Sequence, residues 1–326
     1  MKRYVLLSAF LLVLVTLQIT RSEIPPKQKL RLALRKPDIV DLVFVSVNNW
    51  RYVVRNNGSY MYDQPDADGN GNNAGGEFPR GSGTTIVFAG GLYIGTIKDS
   101  IPVVSETEFA TEFQPGRITN SGVPFNQLKA EAVTSPTNKV YMIQRGQTSP
   151  DYSNWPSDAP RDAYGNPALI ADAQTWAVFN DLDTSLNQED QSIPWGSPDP
   201  GLGIEVVLES FALKGAIIGD VVFLKLKLTN KTDHDYQQTY LAGWADPDVE
   251  EASNDIVGTD TSRNMIYAYN DNDRDSPLAV GLDFMQGPVV HKAEAPIKDY
   301  QKFGTNTQKL TYDAHSNRYI RTSLDP

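Results

Sequence analysis

The segment Val221–Thr229 constrains this chain more than any other. Val222, Leu224, Leu226 and Leu228 take every second position, with Phe223, Lys225, Lys227 and Thr229 between them. Successive side chains of a strand point to opposite faces, so the pattern describes a half-buried β-strand with a charged outer face. Asn230-Lys231-Thr232-Asp233 then turns the chain, and Gln238, Tyr240, Ala242 and Trp244 alternate on the next strand. A strand of this kind has only one good apolar face, and that face must be covered by another layer.

The rest of the chain repeats the signal. Val40–Val47 is β-branched and apolar, and Arg51–Arg55 follows it. Asn56-Asn57-Gly58 supplies residues that accept positive φ, with Ser59–Tyr62 as the return strand. Thr84–Ile97 reads as a long strand whose internal glycines mark a bulge or a close backbone approach. Lys139–Gln144, Gln174–Phe179, Gly203–Leu213, Met265–Tyr269, Leu278–Phe284 and Lys309–Tyr312 complete the set. Short strands with turn signals between them predict an all-β protein, an antiparallel β-sandwich or jelly-roll-like fold with long Asp/Asn/Gly/Pro-rich loops. No long helix is expected in the mature chain.

At the N-terminus, Lys2 and Arg3 precede an apolar run from Tyr4 to Leu17, which is the layout of a signal peptide over residues 1–22. The run is shorter than the roughly 20 residues a spanning helix needs, and no later stretch is long enough. We therefore expect a secreted, extracellular or outer cell-surface protein with no transmembrane span in the mature chain. Residues 23–37 form a basic, Pro-containing tether. An N-terminal β region follows over 38–148, a loop-rich insertion with one short strand over 149–200, and a β-sandwich region over 201–326. Residues 38–326 are compatible with one domain. Tyr319–Pro326 carries no sorting or anchoring motif, so the expectation is a piece of a longer polypeptide.

Charge narrows the function classes. The chain has 29 Lys and Arg against 40 Asp and Glu, a formal charge of −11, and 28 of the 40 acids are Asp. Such a balance repels nucleic acid. Asp favours turns and hard-cation loops where Glu favours helices, so the acidity belongs to the loops. The absence of cysteine excludes disulfides, thiolate metal sites and a cysteine nucleophile.

The sharpest local pattern is Asp66-Ala67-Asp68-Gly69-Asn70-Gly71-Asn72-Asn73-Ala74-Gly75-Gly76-Glu77, which fits a calcium loop at each constrained position. Asp66, Asp68 and Asn70 would supply side-chain oxygens, Asn72 its carbonyl, and Glu77 both carboxylate oxygens, with Gly71 making the sharp turn. Strand-like flanks make this a loop in a β context rather than between helices, and a plain polar turn has a similar composition. Asp246, Asp248 and Asp255 are a second set of candidate ligands, because acids crowded at a strand end need a cation or backbone N–H groups beside them. Asp271–Asp275 repeats the spacing without the glycine and the closing Glu. Calcium is the expected ion.

Catalysis has little support. His234, His291 and His315 lie in no nucleophile or zinc motif. A carbohydrate-active enzyme or carbohydrate-binding module would use loop carboxylates with Trp155 or Trp195 as stacking platforms. A filament or surface-layer subunit is a third reading.

Several stretches also carry a family likeness. In order within residues 45–290 these are Asn49-Trp50-Arg51, Gly75–Gly83, Phe88–Gly95, Gln174–Asp183, Gly203–Val206, Trp244–Asp248 and Val280–Pro288. They resemble the start of large uncharacterised secreted β-rich proteins of Gram-negative bacteria, which often carry a C-terminal type IX secretion sorting domain. The resemblance implies export and a cell-surface or extracellular setting. It brings no catalytic residues. Separately from it, a surface glycan or a protein is the expected partner.

Overall fold

The computed structural model describes residues 40–64, 66–98, 100–109, 111–186, 201–270, 278–287, 308–313 and 318–323, the last two as strand backbone alone. The expected signal peptide (1–22) and tether (23–37), Trp195, His291, His315 and the Asp271–Asp275 cluster lie outside them.

The protein is all-β. Strands β1 (Leu42–Val45), β2 (Arg51–Arg55), β3 (Gly76–Glu77) and β4 (Thr85–Val87) form one antiparallel sheet in that order. A second follows the order β12 (Gln237–Asp246), β5 (Ala89–Lys98), β6 (Ile101–Glu106). The third runs β11 (Val222–Asn230), β10 (Ile204–Ala212), β9 (Ala173–Asn180), β7 (Gln114–Pro115), with β8 (Tyr141–Gln144) also on β9. Strands β13 (Asp255–Asp260), β14 (Met265–Asn270) and β15 (Ala279–Asp283) make a small sheet, and β16 (Gln308–Asp313) pairs with β17 (Arg318–Ser323). No described helix is long and apolar enough to cross a membrane.

The period-two pattern lands where its chemistry requires. On β11, Val222, Leu224, Leu226 and Leu228 stand opposite Ala212, Ser210, Leu208 and Val206 of β10, and join the main core. On the other face the Lys225 ammonium lies 2.6 Å from Glu209, a carboxylate side chain left 4% exposed. The covering layer is the β1–β4 sheet and its continuation into β5. Tyr52 and Val54 of β2 share one apolar cluster with Ala177 and Phe179 of β9 and Val206 and Leu208 of β10. The Tyr52 hydroxyl crosses between the layers and donates to Ser210 Oγ at 3.1 Å. Burying side chains of this size stabilises the fold by about 1.5–3 kcal/mol each.

Tyr60 joins the first two sheets. It bridges to Val54 on one side and to Gly90 on the other, with N–H···O bonds exchanged with Gly90 at 3.0 and 2.8 Å. The glycines of β5 are needed for this approach, because a Cβ on Gly90 would lie 2.2 Å from the Tyr60 ring. The long strand expected over Thr84–Ile97 is interrupted at Phe88, whose N–H turns away to the Asp246 carbonyl at 2.8 Å.

Strand β9 is buried along its whole length. Ala173, Ala177 and Phe179 face the main core, while Trp176 and Val178 face a second cluster with Tyr141, Ile143, Trp155 and Ala159. This corrects the expectation for Trp155. It is not a sugar platform but the buried centre of the 149–170 segment, 3% exposed, edge-on to Tyr141 and donating from Nε1 to the Pro160 carbonyl at 3.1 Å. The segment is anchored by the one-turn helix α1 (Pro150–Ser153), where Ser149 Oγ accepts from the Tyr152 N–H and Asp151 Oδ2 from the Met142 N–H. A loop rich in Pro, Asp and Trp is here the cover of a small core.

Candidate metal centre

The acid loop is an excursion with a closed neck. After the turn at Asn56–Gly58 the chain returns past β2, and Tyr62 bridges to Ala74. The Asp63 N–H donates to the Asn73 carbonyl at 2.7 Å, and the Gly75 N–H to the Met61 carbonyl at 2.9 Å. Everything between Asp63 and Asn73 hangs from this neck. Inside, Asp66 holds a left-handed backbone at φ 48°, and Gly71 another at φ 84°. Asp is one of the few residues that tolerates that region.

Asp63, Asp66 and Asp68 converge, each offering an oxygen within 4.8 Å of the others. Asp63 is the inner wall, 1% exposed. Its carboxylate accepts from the Ala67 N–H at 2.9 Å and the Asp68 N–H at 3.4 Å. Burial nevertheless raises its pKa above the ordinary carboxyl range against those two N–H groups, and the charges of Asp68 and Asp66 add to the rise. Asp68 goes the other way. Burial opposes its charge, but the Asn70 N–H and the Arg51 guanidinium, 2.7 Å from Oδ2, hold it below the ordinary range. Asp66 accepts from the Gly71 N–H through Oδ2 at 3.0 Å. Its Oδ1 is buried and has no hydrogen-bond partner.

The remaining residues of the pattern are used differently. Asn70 Oδ1 accepts from the Asn72 N–H at 2.7 Å, and Asn72 Oδ1 from the Ala74 N–H at 3.0 Å, so both side chains hold successive turns. Glu77 lies outside the converging set. Its Oε1 accepts from the Gly81 and Gly83 N–H groups at 2.7 and 2.9 Å, and Arg51 stands between it and Asp68. The residue brought in is Asp63, which precedes the pattern. Reading backward from Asp66 finds it, since a loop with a closed neck places its first residue beside its middle.

The second set behaves otherwise. Asp246 ends β12, Asp248 follows, and Asp255 opens β13. Asp255 accepts from the Val249 N–H through both oxygens, at 3.3 and 3.1 Å. All three carboxyls are raised, by burial first. The charge of Asp255 adds to the rise at Asp246, and the charges of Asp246 and Asp255 to that at Asp248, which reaches about 6. Glu108 adds to the rise at Asp246. Among the described residues these acids do not form a set as tight as Asp63, Asp66 and Asp68. An aromatic run links the two regions, from Tyr62 through Phe88 and Phe109 to Trp244, with ring centroids 5.2–6.2 Å apart.

The donor set of the first loop is oxygen throughout. That fits a hard cation such as calcium, which takes about six to eight oxygens, and suits zinc or copper poorly. The orphaned Oδ1 of Asp66 is the observation of fit, because a buried carboxylate oxygen with no donor is costly. Comparison of the chain with protein-family models, curated proteins and solved structures finds no match.

Proposed function

We propose that this chain is a secreted or cell-surface structural or binding protein whose fold is stabilised by calcium at the Asp63–Asn73 loop. The reading rests on one observation, the convergence of Asp63, Asp66 and Asp68 around a buried Asp66 Oδ1 that has no donor. Asp63, Asp66 and Asp68 would hold the ion. Its charge would offset the burial, and the smaller repulsion from Asp68 and Asp66, that now raise Asp63, and would fix the loop that starts from the neck at Asp63 and Asn73. A ligand that binds the folded state alone stabilises it by about 2.7 kcal/mol at a hundredfold excess over Kd. The export part of the reading is supported by the N-terminal basic and apolar segments and by the family likeness set out above. No catalytic activity is proposed.

The test is a thermal melt of the full chain in calcium and in EDTA. Calcium is expected to raise Tm by several degrees, and Asp66→Ala to abolish the rise. Equal midpoints in calcium and EDTA, with no calcium by elemental analysis, would refute the reading.

A further inference from the structure

We propose that a second site, independent of the calcium loop, binds a phosphate group, either the free dianion or a sugar phosphate monoester. It is a cleft of about 360 Å³ bearing Arg80, Arg145, Lys214, Asp172, Gln144 and Gln147. Its size lies within the roughly 300–1,000 Å³ of ordinary ligand pockets.

The side chains come from strand ends at one place in the fold. Arg80 sits in the turn after β3, and its backbone N–H donates to the Asn49 carbonyl at 2.7 Å. Its guanidinium donates to the Ser46 carbonyl. Arg145 lies in the turn after β8, closed by the Gln147 N–H on the Gln144 carbonyl at 3.1 Å. Asp172 precedes β9, and Lys214 follows β10. Asp172 is fully engaged, accepting from Arg145 Nε at 3.1 Å and from the Lys214 N–H at 2.8 Å. Arg145 is further fixed by the Ala171 carbonyl at 3.0 Å. Asp172 therefore acts as an orienting clamp rather than as a rival for ligand.

Charge then points to the ligand. Three cations against one carboxylate leave two net positive charges in the cleft, on a chain whose formal charge is −11. Among the described residues Arg80 and Lys214 make no ion pair. Asp172 offsets one of the three charges, through Arg145 and Lys214. Holding the remaining two together is unfavourable, and a phosphate of about −1.5 to −2 charge balances them. Arg forks and a Lys point charge suit its tetrahedral oxygens, with the Gln147 amide as a neutral donor. Arg80, Arg145, Gln147 and Lys214 are exposed, so a larger molecule can present its phosphate from outside.

Isothermal titration of the full chain in EDTA tests this, with inorganic phosphate, glucose 6-phosphate and acetate as titrants. Both phosphates are expected to bind and acetate to bind far more weakly. Tighter binding of the sugar phosphate identifies the ester as the ligand, and equal binding the free ion. Lys214→Met and Arg80→Gln are each expected to weaken binding by about tenfold, the loss of one charge-assisted contact. Both residues are exposed, and an unchanged melting curve verifies that each variant folds. Absence of phosphate binding at millimolar concentration, acetate binding as tightly as phosphate, or affinity indifferent to both substitutions would overturn the proposal.

Discussion

The loop at Asp63–Asp68 and the strand end at Asp246–Asp255 hold similar numbers of carboxylates and treat them in opposite ways. In the loop, backbone N–H groups of Ala67, Asp68, Asn70 and Gly71 turn inward, and Arg51 lies 2.7 Å from Asp68. At the strand end Asp246 and Asp255 lie on paired strands with an unpaired loop between them, and among the described residues only the Val249 N–H reaches a carboxylate of the three. The loop gathers its acids, whereas the strand end buries them with little compensation, and burial first, then the charges of Asp246 and Asp255, push Asp248 up to about 6. Density of acids in the chain is therefore a poor guide to a cation site. The path of the backbone N–H groups around those acids is a better one.

A carboxylate in a third environment, Asp181, sets the limit of this comparison. Asp181 is wholly buried and accepts from the Leu202 and Ile204 N–H groups at 2.6 and 2.7 Å and from Ser105 Oγ at 3.0 Å. Asp181→Ala is expected to have the largest effect, about 3–5 kcal/mol by chemical denaturation, because it strands three buried donors. Next comes the loop itself. Asp63→Ala should erase the calcium-induced rise in Tm, worth about 2.7 kcal/mol at a hundredfold excess over Kd, while Glu77→Ala and Asp248→Asn should retain it. Loss of the rise in Glu77→Ala alone would restore the linear calcium pattern over the folded one.

The strand end predicts a pH effect of the opposite sense to a paired acid. With a folded pKa near 6 against an unfolded value of about 4, Asp248 contributes stability that is full below about pH 4. That contribution is lost as pH rises through 6. After solvent screening we expect about 1 kcal/mol lost between pH 4 and 7, read as a fall in denaturation midpoint that Asp248→Asn removes. The smallest effect is at Arg51, which pairs with Asp68 and stands 4.1 Å over the Phe44 ring. Arg51→Met should cost about 0.5–1 kcal/mol in EDTA and enlarge the calcium response, since the ion no longer competes with a guanidinium.

The strands that alternate cleanly were legible in the chain. Val222–Leu228 depends only on a period of two. Gln238–Trp244 was legible as a strand but not in its pairing, since β12 joins β5 rather than returning along β11 and its register shifts between Gln237 and Tyr240. Strand β6 was not legible, because Pro102 reads as a breaker and is tolerated only because β6 is the edge of its sheet. Strand β13 was hidden for a different reason, since Asp255 and Asp260 at its ends read as loop. The candidate site was half legible. Asp66 and Asp68 follow from spacing, but Asp63 joins them through the bridge of Tyr62 to Ala74, a contact that no local pattern contains. Trp155 failed as a surface residue because the cluster that buries it, Tyr141 at its ring edge and Trp176 beyond, lies on the outer face of a sheet whose inner face already fills the core.

That strand, β9, has a consequence for how the molecule opens. Its amides are paired on both sides, with β10 and with β7 and β8, and its side chains are covered on both faces. Water can reach it only after two separate clusters have come apart. Shedding the 149–170 segment would expose Trp176 and leave the sandwich standing, whereas parting the sandwich would leave Trp176 under its cover. Hydrogen exchange along Ala173–Asn180 is thus gated by the rarer, joint event, and this stretch should keep its protons longest.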